Sequence, residues 1–262
     1  IHALGANHTQ KRMNWAVGDR VFAIVPGGAY AQYVKVNISH LFKLPEPLTF
    51  AQGAGIAEVF LTAYQCLFSI AQLKNNSNVL IHAGASGVGS AAIQLAKQRN
   101  CHVTVTVGNA EKVQACLDLG ADIALNYNEV DFSLWAKEHK PKGFDVILDV
   151  VAGDYVSKNI NVCALDGHIV ILSMLGGRFA EKVDVAKLLF KRINIHATTL
   201  RNRSDEYKAK LVNDFHSDFY QAFSNGSIKP IIHQASSWQQ AEQIHQLMMN
   251  NENIGKLILI VD

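Results

Sequence analysis

The residues from Asn78 to Lys97, NVLIHAGASGVGSAAIQLAK, constrain this chain more than any other stretch, because the hydrophobic period changes in the middle of them. Val79 to Ile81 is a short, β-branched apolar run bounded by the polar NNSN and by glycines, the pattern of a buried parallel strand. From Ser90 onward Ala91, Ala92, Leu95 and Ala96 recur at helical spacing, with Gln94, Lys97 and Gln98 left for the wetter side. Strand, glycine turn and helix in that order bring a helix N-terminus, with its unpaired N–H groups and positive dipole end, to the carboxyl edge of a sheet. A pyrophosphate fits there. Against the dinucleotide fingerprint G-x-G-x-x-G the turn reads Gly84, Ala85, Ser86, Gly87, Val88, Gly89: the outer glycines are present, Ser86 takes the middle place, and Gly87 is extra. The competing reading is an ordinary βα turn whose glycines only let helix and strand pack closely.

From this stretch onward strands and helices alternate. The strands are expected at Val79–Ile81, Val103–Val107, Ile123–Leu125, Val146–Val150, His168–Leu172 and Ile193–Ala197. Between them come helices through Lys112–Leu119, Phe132–Glu138, Val156–Ala164 and Val185–Phe190. Parallel neighbours need crossover connections, so the rhythm predicts a doubly wound α/β sheet of about six strands. The segment before it, Trp15 to Pro45, reads as all β, and LTFAQGAGIAEVFLTAYQCLFSIAQLK as one or two helices. The tail predicts a long helix from Asp205 to Phe223, another around Trp238 to Met249, and a strand from Lys256 to Val261 that rejoins the opening β region.

With 24 basic against 22 acidic side chains, a net charge of +2 and no basic stripe, nucleic acid is not the expected partner. Cys66, Cys101, Cys116 and Cys163 lie far apart without a C-x-x-C pair, which suits a reducing, cytoplasmic setting. No apolar run is expected to reach membrane-spanning length, and the opening IHALGANHTQKR lacks the apolar core of a signal peptide. The start at Ile1 rather than methionine suggests residues upstream. His82, on an apolar strand, reads as a satisfied core histidine, and the eleven histidines show no metal-ligand spacing.

In a dinucleotide fold an acid just past the second strand hydrogen-bonds the ribose 2′-OH of NAD and would repel a 2′-phosphate. Here that strand ends at Val107 and is followed by Gly108, Asn109, Ala110, Glu111 and Lys112. The acid is missing from the strand end, Gly108 leaves room, and Lys112 sits one helical turn on, where its ammonium could reach a phosphate. NADPH is the favoured cofactor. Glu111 dissents, although an acid on a first helical turn also suits the dipole, and Lys112 also reads as a solvated surface lysine.

The fragments VGDRVFAIVPGGAYAQYV, LTAYQ, VLIHAGASGVGSAAIQLA, LGADIALNY, ILDVV, LDGHIVILSMLGG, KLLFKR, LRNRSDEYK and NENIGKLIL follow one another along nearly the whole chain. In them the chain resembles the medium-chain dehydrogenase/reductase superfamily. The likeness is to its zinc-free quinone oxidoreductases related to zeta-crystallin, and within them to the branch induced by a tumour-suppressor transcription factor in animals. The resemblance implies a Rossmann-type nucleotide domain, residues 58–228, and a GroES-like β barrel made by both chain ends, residues 1–57 and 229–262. It implies a homodimer joined through the sheet edge near Ile193 to Thr198. It puts the pyrophosphate on Ser86, Gly87, Val88 and Gly89, and the adenosine ribose phosphate on Asn109 and Lys112, with Tyr127 near the same end. The nicotinamide is expected against Ser173, Met174 and Leu175 and against Thr199 and Leu200, with Asn253 helping to close the cleft.

Two departures from the family's wider pattern stand out. Zinc alcohol dehydrogenases of the superfamily carry a four-cysteine lobe and a ligand cysteine where this chain has PGGAYAQYV and AEVFLTAYQ, so no metal is expected. The family also has barrel strands ahead of the position of Ile1, with a tyrosine and an asparagine in the active-site mouth, so the barrel is expected to be incomplete at its N-terminal side and to expose apolar surface. The implied reaction is hydride transfer from NADPH to a quinone, with no particular catalytic acid or base assigned. The alternatives are reduction of an enone or enoyl thioester, and cofactor binding without catalysis.

Overall fold

The computed structural model describes residues 1–5 and 15–261, so residues 6–14 of the polar opening lie outside the described residues. Two compact units are formed, one from Ile1–Leu61 with Leu200–Asp262 and one from Thr62–Thr199. In the first, β1 (Val21–Ala23) pairs antiparallel with β2 (Leu41–Lys43). Helix α1 (Phe50–Ala54) follows behind a reciprocal cap, in which the Thr49 hydroxyl accepts from the Gln52 N–H and the Gln52 side chain accepts from the Thr49 N–H. Helix α2 (Ala57–Tyr64) continues into a π-helical turn, Gln65–Ile70.

The alternation read from Trp15 to Pro45 as a run of strands becomes only these two short ones. Residues 26–35 are exposed, Tyr30, Tyr33 and Val34 among them, and a half-apolar stretch with no neighbouring strand among the described residues has no ladder there to join. A second correction concerns length and hydropathy. The helical stretch Phe50–Ile70 is long and apolar enough to cross a membrane, but its most apolar window is 72% buried inside the protein, as in a core helix.

The second unit is the alternating one. Its strands are β3 (Asn78–His82), β4 (His102–Val107), β5 (Ile123–Asn126), β6 (Phe144–Asp149), β7 (Cys163–Ile171) and β8 (Asn194–Ala197). They form one parallel sheet in the order β5-β4-β3-β6-β7-β8. The crossovers are α3 (Gly87–Lys97), α4 (Ala110–Asp118), α5 (Phe132–His139), α6 (Tyr155–Val162) and α7 (Val185–Lys191). Polar side chains start four of the five: Ser86, Asn109, Asp131 and Asp184 each accept a first-turn N–H. All six expected strands are present, and β7 begins five residues before the expected His168.

The central strands read as unbroken apolar runs because helices cover both faces: Leu80, Ile147, Ile160 and Ile169 pack with Phe132 and Phe144 on one side, while Ala91, Ala92, Ile93, Leu95 and Ala96 of α3 are wholly buried. Gln94, expected on the wetter side of α3, is instead buried, its amide donating to the Ser90 carbonyl at 3.1 Å.

The tail adds α8 (Asp205–Ser224), β9 (Ile232–Ser237), α9 (Ala241–Met249) and β10 (Lys256–Ile260). Strand β9 was not anticipated; it runs parallel to β10 in a two-stranded sheet of its own. Helix α8 places Phe215, Phe219 and Phe223 on one buried stripe, where Phe215 meets Phe42 edge-on at 5.8 Å and Phe223 meets Phe60 at 4.9 Å. This aromatic core groups Leu200–Ser224 with the terminal unit, whereas the sequence boundary had set them, up to residue 228, in the nucleotide domain.

Candidate functional site

Strand β3 lies at the middle of the sheet, with β4 and β5 on one side and β6 to β8 on the other, so the winding reverses between β3 and β6. Open α/β sheets leave a crevice beyond the strand ends at such a point. The glycine turn leaves β3 there. Ala83 adopts a left-handed φ of 55°, the Gly84 N–H donates to the Thr106 carbonyl at 3.1 Å, and the Ser86 N–H donates to the Ala83 carbonyl at 2.9 Å. The Ser86 hydroxyl then accepts from the Gly89 N–H at 3.0 Å and starts α3.

Both outer glycines are demanded by space. A Cβ on Gly84 would lie 2.6 Å from the Val105 Cβ, and one on Gly89 would lie 2.3 Å from the Ala83 oxygen and 2.6 Å from the Gly84 oxygen. Ser86, Gly87 and Val88 are only half-buried, and the first-turn N–H groups of Gly87 and Val88 have no acceptor within a helix.

At the next strand end Gly108 lies under Tyr127, whose hydroxyl would be 2.6 Å from a Cβ placed there. The Asn128 amide donates to the Gly108 carbonyl at 2.7 Å, holding the ends of β4 and β5 together, and Tyr127 stays 42% exposed. Asn109 caps α4 by accepting the Lys112 N–H at 2.8 Å. The Lys112 side chain lies on the buried face of α4, only 6% exposed, where burial lowers its pKa while Glu111 and Cys116 act in the opposite sense. Glu111 is exposed. Sequence spacing thus gathers Ser86 to Gly89, Gly108 to Lys112 and Tyr127 at the carboxyl ends of three adjacent strands.

Ser173, Met174 and Leu175 form an exposed loop after β7 at the same edge of the sheet, and Thr199 follows β8. Leu200 and Asn253 belong to the terminal unit; Leu200 is buried, and the Asn253 amide donates to the Gly255 carbonyl at 2.8 Å.

A buried polar chain beneath the turn was only partly legible. His82 is a satisfied core histidine, with Nδ1 2.9 Å from the Thr106 hydroxyl and Nε2 2.8 Å from Asn159 Oδ1. Asn159 in turn donates through Nδ2 to Asp149 Oδ2 at 2.9 Å, so its oxygen faces His82 and accepts from Nε2–H, leaving Nδ1 to accept from Thr106. Burial lowers the His82 pKa, against the opposing pull of Asp149 and Asn159. The sequence signal for this chain was an acid, Asp149, set inside the otherwise apolar run Val146–Val150.

Among the described residues no three His, Cys, Asp or Glu side chains come together as a metal-holding group. All four cysteines are buried and free, and burial pushes the thiols of Cys66, Cys116 and Cys163 up to about 12, so these three offer no thiolate at neutral pH.

A parallel, doubly wound sheet with a glycine turn and a capped helix at its switch point is the Rossmann class of α/β fold. Residues 87–216 match the family described as zinc-binding dehydrogenase. The zebrafish (Danio rerio) synaptic vesicle membrane protein VAT-1 homolog is 28% identical over 275 residues, which are 100% of this chain and 56% of the relative. Human quinone oxidoreductase is 28% identical over 264 residues, 100% of this chain and 77% of the relative. The solved quinone oxidoreductase of Pseudomonas syringae superposes with a TM-score of 0.82 at 26% identity, over 94% of this chain and 76% of that one. These likenesses support a quinone oxidoreductase-like chain of the medium-chain dehydrogenase/reductase superfamily, whose members bind nicotinamide cofactors. It spans little more than half the length of the zebrafish relative.

Proposed function

We propose that the chain acts as an NADPH-dependent, zinc-independent quinone oxidoreductase. The observation that carries the reading is the open lip of Ser86, Gly87 and Val88 at the β3–β6 switch point, where Gly89 lets the capped start of α3 approach the strand end to within a distance no Cβ allows. Backbone N–H groups of that lip suit a pyrophosphate. Gly108 and Asn109 suit the adenosine ribose, because an acidic side chain at 108 would collide with Tyr127. A lysine whose charge burial disfavours gains from a phosphate beside it, since attraction is less screened there than in water. Tyr127 borders the same end. Ser173, Met174, Leu175, Thr199, Leu200 and Asn253 are proposed at the reacting end.

When bound, NADPH supplies the hydride, and the chain's work is to bind, orient and exclude water. No cysteine stands at the family's zinc-ligand positions, so the proposed chemistry is metal-free. The protein is proposed to be cytoplasmic and to pair with a second copy along β8. That strand is the sheet edge, and Ile195 on it and Leu189 and Phe190 on α7 are exposed.

The test is a fluorescence titration of the intact protein with NADPH and, in parallel, NADH, repeated on Lys112→Ala. NADPH binds more tightly, and the variant loses more than about tenfold for NADPH, about 1.4 kcal/mol, with NADH nearly unchanged. Equal losses for both cofactors would remove Lys112 from the phosphate, and no binding of either would sink the assignment. Turnover of quinones over enones and enoyl thioesters then separates quinone reduction from the enone reductase reading.

A further inference from the structure

The loop expected to meet the nicotinamide has almost no packing of its own: Ser173, Met174 and Leu175 are exposed. Its position comes from the neighbouring loop after β6. The Leu175 N–H donates to the Val150 carbonyl at 3.1 Å and the Gly176 N–H to the Val151 carbonyl at 2.7 Å. The two loops touch so closely that a Cβ on Gly153 would lie 2.7 Å from the Gly176 oxygen.

The β6 loop is itself bent into an unfavourable shape, since Ala152 and Gly153 are consecutive left-handed residues with φ of 56° and 52°. That conformation is unfavourable at an alanine and persists only where the surroundings hold it. What holds it is the carboxylate of Asp149, which is wholly buried: Oδ1 accepts the N–H groups of Val151 at 2.7 Å and Ala152 at 2.9 Å. Oδ2 is turned inward by Asn159, the last link of the Thr106–His82–Asn159 chain.

We infer that Asp149 is a positioning residue: through the strained β6 loop it sets the backbone of residues 175–176, and with it Ser173 to Leu175, against the reacting end of the cofactor. The inference rests on the nicotinamide-binding reading above, but not on which substrate is reduced.

The test is Asp149→Asn in the intact protein. Asparagine keeps the size and one oxygen for the two N–H groups, but its amide meets the Asn159 amide donor to donor, which leaves a buried polar group unsatisfied. Three quantities are read: amide hydrogen exchange at residues 151, 152, 175 and 176; the NADPH dissociation constant; and kcat with a quinone. Exchange at those four amides is expected to rise about tenfold and kcat to fall about tenfold or more, because a displaced loop misaligns the reacting atoms. The dissociation constant stays within about twofold, since the glycine turn is untouched. The swapped pair Asp149→Asn with Asn159→Asp restores an acceptor between the two donors and is expected to recover both exchange and kcat.

Unchanged exchange and kcat in Asp149→Asn, or faster exchange with unchanged kcat, would overturn the inference. So would a swapped pair that folds but recovers neither. Should Asp149→Asn fail to fold, Gly153→Ala tests the same contact from the other side and must give the same split, a lowered kcat at constant affinity. If the wild-type protein binds no nicotinamide cofactor, the functional reading fails, and the exchange arm still decides whether Asp149 anchors the loop.

Discussion

Replacing Gly89 by alanine pits two effects of known sign against each other. Alanine is the better helix former by about 1 kcal/mol, and Gly89 sits in the first turn of α3, so propensity alone would stabilise the variant. The added methyl, however, lies 2.3 Å from the Ala83 oxygen and 2.6 Å from the Gly84 oxygen, well inside van der Waals contact. Both obstacles are backbone, so no side chain can swing away, and the start of α3 must retreat from β3 by about 1 Å. Overpacking of this kind costs about 1–3 kcal/mol. The retreat also strains the hydrogen bond from the Gly89 N–H to Ser86, a cap worth about 1 kcal/mol. The clash wins, and the net loss is about 1–2 kcal/mol. Thermal unfolding should register it as a drop in Tm of roughly 3–8 °C for a unit of this size. Titration should show NADPH and NADH weakened together by about tenfold or more, because the pyrophosphate is common to both and its donors have moved. A variant that loses stability and keeps both affinities would show that the turn is a packing device only. Selective loss of NADPH would contradict the placement of the pyrophosphate.

Two further outcomes bear on other parts of the chain. Burial alone would raise the Asp131 pKa, but hydrogen bonds from the Lys158 ammonium and from Ser133 and Leu134 hold this carboxyl well below its ordinary value of 3.8. The unfolded chain therefore takes up the proton first as the pH falls, and the stability this group contributes is present above about pH 4 and lost below it. Asp131→Asn should cost about 1 kcal/mol at pH 7 in urea denaturation, and the difference from wild type should close towards pH 2; a difference independent of pH would contradict the ion pair's part in it. At the sheet edge, Ile195→Asp places a charge on β8, and sedimentation should show the dimer proposed for the wild type converted to monomer; an unchanged dimer would put the interface elsewhere.

The order and type of the elements in the second unit were determined by the sequence alone. Short apolar runs and helical 3.6-residue spacing alternate from Asn78 to Ala197, and parallel strands must be separated by crossovers, so the doubly wound sheet and the glycine turn at the end of its first strand follow from pattern and sterics. His82 was legible as a core histidine because a lone imidazole on an apolar strand has to find partners within reach.

Pattern could not tell which partners those were. Asn159 lies 77 residues from His82, and Asp149 meets it only because β3 and β6 are neighbours in space, a consequence of the switch in strand order. The opening segment misled for the same reason: alternation states that a stretch has two unlike faces, but a strand forms only where another strand is present to take its hydrogen bonds, and residues 26–35 have none beside them among the described residues. Lys112 reads as a surface lysine by composition and is buried by the way α4 lies against its sheet. Local chemistry sets what each segment can become. Which side chains share a floor, a lip or a buried carboxylate depends on contacts between residues far apart in the chain, and those exist only once the chain has folded.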